Sequence, residues 1–314
     1  MKRWTSATEM SHSVAIEELL FFIERVANGA ATLRFLCGEP GFGISLLVRM
    51  ASQRAHARNL VTLTVPMDLD WGEELSVQGR ADLVGKLMRS IATAQKPNGK
   101  AIDVLFRRFA ERCAADVSAF HKSPASVLEN ATREIILLPG GPGLIASLSS
   151  YCDAFEKKDR NRMKDAVRSV ASAPLQEVRE IDGSFSGSAL LELAPANLLH
   201  LLSALARACD YDGLLVIGEK KSGSLPAERD AGSNAFGTIV ESIEQAIHDG
   251  ASGLGVILPM RPGEMETVLE DLGHRDRARS TDHGSNEADE HHMALTRMMI
   301  SVPALTVADF AEVG

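Results

Sequence analysis

The residues with the clearest chemical meaning form one run, Gly38-Glu39-Pro40-Gly41-Phe42-Gly43-Ile44-Ser45. Three glycines in six positions let a backbone curl so that several N–H groups point at one anion, and a helix starting near Ser45 adds the positive end of its dipole. The spacing is that of the phosphate-binding loop G-x-x-x-x-G-K-[ST], with Ile44 where the lysine belongs. All eight residues are candidate nucleotide-binding residues, Ser45 through its hydroxyl and the others through the backbone. A nucleotide site of this kind needs a second half: a buried strand ending in Asp-Glu, the Asp organising Mg²⁺ and the Glu polarising the attacking water. Here Leu214-Leu215-Val216-Ile217 runs into Gly218-Glu219, so the metal position reads as Gly218 and Glu219 is the residual catalytic carboxylate, expected to be inactive. A third strand, Gly253 to Leu258, leads through Met260 to Arg261, which reads as a surface residue or as a sensor of the γ-phosphate.

The elements that must position these residues follow from periodicity. Ser13 to Asn28 carries apolar residues at 16, 19, 20, 23 and 26, one face of a helix, and Gly29 supplies its stop. Thr32–Cys37 reads as a strand, Ser45–Ala57 as a helix and Leu60–Val65 as a second strand, which makes one βαβ unit and implies a parallel sheet. From Leu75 to about Ala173 the spacing is helical throughout, which predicts a helical insertion projecting from the sheet. Ala196–Cys209 and Phe236–Ile247 read as helices, and Gly213–Gly218, Gly253–Leu258 and Met298–Val302 as strands. Ser184–Ser188, Lys220–Gly232 and Arg275–His292 are too polar to pack and read as loops. The expected organisation is an N-terminal helix at 1–30, a βαβ unit at 31–74, the insertion at 75–175 and the rest of the α/β core at 176–314.

Composition narrows the function classes. The chain has 314 residues, 45% hydrophobic and 24% charged, which is enough for a sizeable core. Its net charge of -9 and 5% aromatic content argue against a non-specific nucleic-acid binder. Cys37, Cys113, Cys152 and Cys209 contain no C-x-x-C pair and read as reduced cytosolic thiols, with no metal site expected. The first apolar run, Leu19–Ile23, is flanked by glutamates and is neither a leader nor a membrane span, so a cytoplasmic location is expected. His283, His291 and His292, set among Asp282, Glu287, Asp289 and Glu290, read as a solvated loop rather than a metal site. Glu156–Arg162 reads as a solvated helix end. Arg107, Arg108 and Arg112 read as an exposed face, with contact to phosphate or a partner as the alternative.

The chain resembles the ATP-binding P-loop proteins of BREX-type phage-defence systems, the BrxC/BrxD-like group among AAA+/STAND-like ATPases. The resemblance runs from about Arg34 to Phe310: Arg34–Gly43 with the following helix, Ser150–Asp159, Leu198–Glu219, and Val302–Phe310 at the exit of the last strand. It implies an α/β P-loop NTPase fold of the AAA+/ASCE-like type, a parallel sheet flanked by helices with a large helical insertion. It also implies the strand order, with Leu33–Cys37 beside Leu254–Leu258 and Gly213–Gly218 next. The family continues into a lid and a winged helix. The sequence ends at Gly314, so neither is expected here.

The favoured functional expectation is a degenerate ATPase, a pseudo-ATPase acting as a scaffold or regulatory subunit of a defence assembly. Weak ATP binding with accompanying Mg²⁺ is expected, with neither required. The partner is a second copy or an intact AAA+-like relative; DNA contact is indirect or weak, and no membrane is involved. Two rivals remain. One is a working nucleotide switch or slow ATPase whose missing cation comes from Lys220, Lys221, Lys86 or Arg261. The other is a DNA-contacting adaptor.

Overall fold

A computed structural model describes residues 12–38, 43–67, 77–121, 123–171, 193–219, 229–261, 264 and 299–301. In chain order the elements are α1 (His12–Ala27), β1 (Thr32–Cys37), α2 (Ile44–Ala57), β2 (Leu60–Pro66), α3 (Val77–Ser90), α4 (Ile102–Phe120), α5 (Pro124–Ala131), a 3₁₀ turn (Ile135–Leu137), α6 (Gly141–Glu156) and α7 (Arg160–Ala171). Then come α8 (Pro195–Ala208), β3 (Gly213–Glu219), α9 (Arg229–His248), β4 (Leu254–Met260) and β5 (Met299–Ser301).

The five strands form one parallel sheet in the order β2-β3-β4-β1-β5. The expected neighbours are present: Cys37 pairs with Met260, and Ile217 with Ile257. This is the α/β arrangement of a P-loop NTPase, with the glycine-rich loop leaving an inner strand and another strand separating it from β3.

β1 to β4 are largely buried on both faces, and their alternation assigns each residue to a layer. Leu36, Leu215, Ile217 and Ile257 pack with α1 and α2, through Leu19, Phe22, Ile23, Leu47 and Ala51. The other face carries Leu33, Phe35, Val61, Leu63, Leu214, Val216, Val256 and Leu258. These share a core with Leu87 of α3, Phe106 and Phe109 of α4, Leu144 and Leu148 of α6, Leu199 and Leu205 of α8, and Val240 of α9. Of the helices between 77 and 171, α3 packs on β2, while α4 to α7 pack on one another and extend the same core. Burying the apolar face of α4 alone, from Ile102 to Cys113, is worth about 1.5–3 kcal/mol per large side chain. No strand of the sheet comes from this stretch among the described residues. Ala92 does form an isolated antiparallel bridge with Thr62, exchanging both backbone hydrogen bonds at 2.8 and 2.9 Å and covering the outer edge of β2. α9 begins at Arg229, so the end of the stretch read as a polar loop at 220–232 is helical. Its part at 220–228 lies outside the described residues, as do Ser184–Ser188, Arg275–His292 and Val302–Phe310.

One polar contact inside this frame makes stability depend on pH. His56 of α2 shares a 2.9 Å hydrogen bond between its Nε2 and the Thr62 Oγ1 of β2. Burial holds its pKa below the ordinary value, against a smaller opposing effect from the Ala92 backbone. Burial also lowers the pKa of His200. An unfolded chain takes up protons at both histidines near pH 6.5, while the folded chain resists. Their contribution is present above that pH and is lost as the pH falls below it toward the folded values. We expect the thermal midpoint to drop between about pH 7.5 and about pH 5.5, and the drop to shrink in His56→Gln. Equal slopes in the two proteins would remove His56 from this account.

Candidate functional site

In a parallel α/β sheet, ligands meet the protein at the carboxyl ends of the strands. Here those ends bring together Gly38 after β1, Met67 after β2, Glu219 closing β3 and Arg261 after β4. The Gly38 N–H donates to the Met260 carbonyl at 3.1 Å, tying the start of the glycine-rich segment to the end of β4. The Met67 N–H donates to the Glu219 carbonyl at 3.0 Å. Glu39, Pro40, Gly41 and Phe42 lie outside the described residues.

α2 begins at Ile44, and its N-cap is Gly43, in the left-handed region with φ 83° and ψ 10°. A side chain there would be strained, which explains the glycine. The Gly43 carbonyl accepts from Leu46 and Leu47, leaving the earlier amides of the turn to the loop side. No acidic residue occupies the first turn, so the positive end of the dipole is not neutralised from within the helix. Ser45 is exposed beside it. Ile44 is half-buried and packs against the apolar cluster of α1 and α2. The residue at the lysine position thus contributes packing in place of a cation.

At the end of β3, Gly218 and Glu219 face opposite sides of the sheet. The β2–β3 ladder continues through Glu219, paired with Pro66, so strand alternation holds to the last residue. Glu219 therefore lies on the face of Leu215 and Ile217, the face that packs on α1 and α2, and it is exposed. Gly218 faces the other way. A Cβ built there would lie 2.7 Å from Met67 Sδ and 3.1 Å from Leu258 Cδ2, both atoms of the opposite core. The glycine leaves room for Met67, and the carboxylate on the α2 side is Glu219. Met67 gave no sign of this role in the sequence, because the contact exists only once β2 and β3 are neighbours.

Arg261 is exposed, one residue past the Met260 that pairs with Cys37; its N–H donates to Glu264 Oε2 at 2.8 Å. Lys86, considered as a substitute cation, is in an ion pair with Asp82 on its own helix at 2.6 Å. Lys220 and Lys221 lie outside the described residues. The arginines of α4 turn out to be structural. Arg112 Nη1 donates to the Ala208 carbonyl at 2.9 Å, and Arg108 Nη2 donates to the Asp210 carbonyl at 2.6 Å. Arg108 also stacks on Tyr211, its guanidinium carbon 4.1 Å from the ring centre. They satisfy carbonyls where α8 ends, before the first residue of β3, at the sheet end away from the glycine loop. Arg107 reaches Gln95. Among the described residues no group of three His, Cys, Asp or Glu side chains is placed to hold a metal, and no helix is long and apolar enough to cross a membrane.

A glycine-rich stretch between an inner strand and a helix, an acidic strand end on that helix's side, and this strand order are brought to one end of the sheet. Residues 11–265 match the family described as BREX system ATP-binding protein BrxC/D. The chain belongs to that family. The match covers both halves of the site, from the glycine-rich loop through Glu219 to Arg261. A comparison with curated proteins finds no match. The matched BrxC/D stretch includes Gly38–Ser45, and the family is one of ATP-binding proteins. Glu219 and Ser45 suit Mg²⁺ accompanying that nucleotide: one carboxylate and one exposed hydroxyl on the same side of the sheet, the oxygen donors this ion prefers.

Proposed function

We propose that this BrxC/D-family chain binds ATP but hydrolyses it poorly, and that it serves as a nucleotide-responsive subunit of a BREX assembly. The observation that carries the reading is Ile44, packed into the α1–α2 cluster at the position from which a cation would reach the β- and γ-phosphates. One missing charge-assisted hydrogen bond weakens binding by about 1.5–3 kcal/mol, or about 10–150-fold, and removes as much or more from the transition state, where charge develops. The backbone amides of the loop and the first turn of α2 remain as phosphate donors. Mg²⁺, when bound with ATP, neutralises phosphate charge. Glu219 and Ser45 are the residues of this chain that would hold it, and a Glu219 so engaged would be drawn away from orienting an attacking water.

The same geometry supports assembly. The loop, Glu219 and Arg261 are at one edge, and AAA+-like proteins meet side by side across such an edge. The partner is a second copy of this chain or a catalytically intact relative. Sedimentation with and without Mg-ATP, alone and with the other products of its operon, tests this.

The site itself is tested by equilibrium binding of a fluorescent ATP analogue and by phosphate release. We expect binding that strengthens with Mg²⁺ and turnover no faster than buffer. Glu219→Gln should lose about tenfold in affinity with Mg²⁺ present and almost nothing without it. Turnover that Glu219→Gln abolishes would show a working ATPase and overturn the hydrolysis-deficient reading.

A further inference from the structure

α7 carries a row of cations whose charge the fold leaves to solvent. From Lys157 to Arg168 the chain has six lysines and arginines against two carboxylates, a local charge of +4 in a chain whose net charge is -9. The apolar residues of α7, Met163, Ala166, Val167 and Val170, turn into the core that α3, α4 and α6 also line. At 3.6 residues per turn, Arg160, Lys164 and Arg168 fall on the outer side, recurring every fourth residue in one exposed row with a step of about 6 Å. Lys157 and Lys158, also exposed, precede the row in the turn from α6. The carboxylates are engaged locally. Asp159 accepts from the amides of Asn161 and Arg162 at 3.1 and 3.2 Å, and Asp165 lines, with Asp153, the cleft between α6 and α7. Arg162 and Arg168 reach Asp159 and Asp165 at 3.8 and 3.5 Å, while Lys157, Lys158, Arg160 and Lys164 form no ion pair among the described residues. We propose that the turn from α6 and the outer face of α7 form a phosphate-contact surface for duplex nucleic acid.

The chemistry of this face selects its partner. A strand of duplex is a linear polyanion with evenly repeated charge, and a row with an even step along about 12 Å of helix is the matching array. An acidic protein would also need an anchor that fills a pocket, because buried aromatic side chains carry much of the affinity of protein interfaces. The outer face of α7 offers none: the exposed residues from 157 to 168 are charged, apart from Asn161, and the exposed large apolar residues of the described chain lie on other elements. Single-stranded nucleic acid needs aromatic rings on which bases stack, and Tyr151 and Phe155 of α6 pack into the core. Phosphate is what remains for this surface to hold, so it positions a duplex without reading sequence. The negative total does not cancel the row. At physiological salt, charges farther than about 8 Å are largely screened, and the row acts through its own cations.

The test is fluorescence anisotropy of labelled DNA and RNA duplexes of about 20 base pairs with the full-length chain, from about 50 to about 200 mM salt. We expect dissociation constants of about 10⁻⁶ to 10⁻⁴ M at physiological salt and a steep salt dependence, with log affinity falling by about 0.9 per decade of salt for each phosphate neutralised. The tighter of the two duplexes names the source, since both are held by phosphate. Arg160→Gln, Lys164→Gln and Arg168→Gln together should weaken binding at least about tenfold and flatten the slope by about 2.7. Arg54→Gln, an exposed arginine of α2 on the other face of the sheet, should change neither. If the triple variant does not fold, Lys164→Gln alone decides, with a slope flatter by about 0.9. An unchanged slope would overturn the proposal. Tighter binding of single strands than of duplex would overturn it too, and so would tighter binding of poly-glutamate at equal charge, which would make the row a dock for an acidic protein.

Discussion

Replacing Ile44 with lysine is expected to tighten ATP binding by about 10–150-fold, the value of one charge-assisted hydrogen bond to phosphate. The position is suitable: Ile44 opens α2 directly after the left-handed Gly43, and the first turn holds no carboxylate to compete for a cation. Ile44 is only half-buried, so the stem of a lysine can cover the same apolar surface while its ammonium leaves toward the loop. Gly218→Asp, the change that motif alignment also recommends, should gain nothing. Its Cβ would lie 2.7 Å from Met67 Sδ, and its carboxylate would enter the core on the face opposite α2. A charge placed there without a partner destabilises the fold by about 2–4 kcal/mol. The double variant should therefore bind ATP no better than Ile44→Lys alone and melt lower. Titration of labelled ATP against the three variants, with thermal unfolding alongside, checks each statement. A gain in Mg-dependent affinity from Gly218→Asp would remove Glu219 from the metal position.

The contrast between Ile44 and Gly218 shows what a sequence can disclose about such a site. Ile44 is legible because the loop is local: eight consecutive residues set its geometry, and the missing cation is visible as a missing letter. Gly218 is different. A motif counts positions along a chain, while a strand assigns chemistry by face, and the face of residue 218 depends on how far the β2–β3 ladder runs. That ladder reaches Glu219, so one residue of register changes which side chain meets α2. Met67, which fills the space in front of Gly218, belongs to a different strand's end. Its role is a product of strand order.

The same distinction holds for the larger fold. Runs such as Leu214–Ile217 and Leu254–Leu258 could be read as buried strands from their composition, and the order β2-β3-β4-β1-β5 followed from the resemblance to P-loop proteins. Helical spacing between 77 and 171 disclosed helices but not what their apolar faces cover, since periodicity defines a stripe and not its partner. The stripe of α3 packs on β2, and those of α4, α6 and α7 pack chiefly on one another. Arg108 and Arg112, four residues apart and so on one helical face, looked like an exposed basic pair. Their hydrogen-bond acceptors are carbonyls about a hundred residues later in the chain, exposed by the end of α8.

The second large effect concerns the other end of β3, at the opposite end of the sheet from Gly38 and Glu219. Gly213→Ala is expected to cost about 3 kcal/mol or more, enough to reduce the folded fraction at 37 °C. Gly213 starts the strand directly against the turn before β4: a Cβ would lie 2.3 Å from the Gly253 carbonyl oxygen and 3.0 Å from its Cα. These are backbone atoms, and they cannot move freely. The Gly253 carbonyl accepts from Leu214 N–H at 2.7 Å and from Ser203 Oγ at 3.3 Å, while the Gly253 N–H donates to the Gly29 carbonyl at 2.9 Å. Ser252 Oγ donates to that same Gly29 carbonyl, and Ser203 Oγ donates to the Ser252 carbonyl at 2.7 Å. One turn thus joins the end of α1 and the body of α8 to the starts of β3 and β4, and a methyl group at 213 pushes against this junction. Ser203→Ala removes one buried donor to this turn and should cost less, about 1–3 kcal/mol. Chemical denaturation of the two variants checks the order. If Gly213→Ala unfolds at the same denaturant concentration as the natural chain, the turn is looser than its hydrogen bonds indicate. Because β3 also carries Glu219, a partly unfolded Gly213→Ala should lose Mg-dependent ATP binding in proportion to its unfolded fraction, whereas Glu219→Gln loses it with the fold intact.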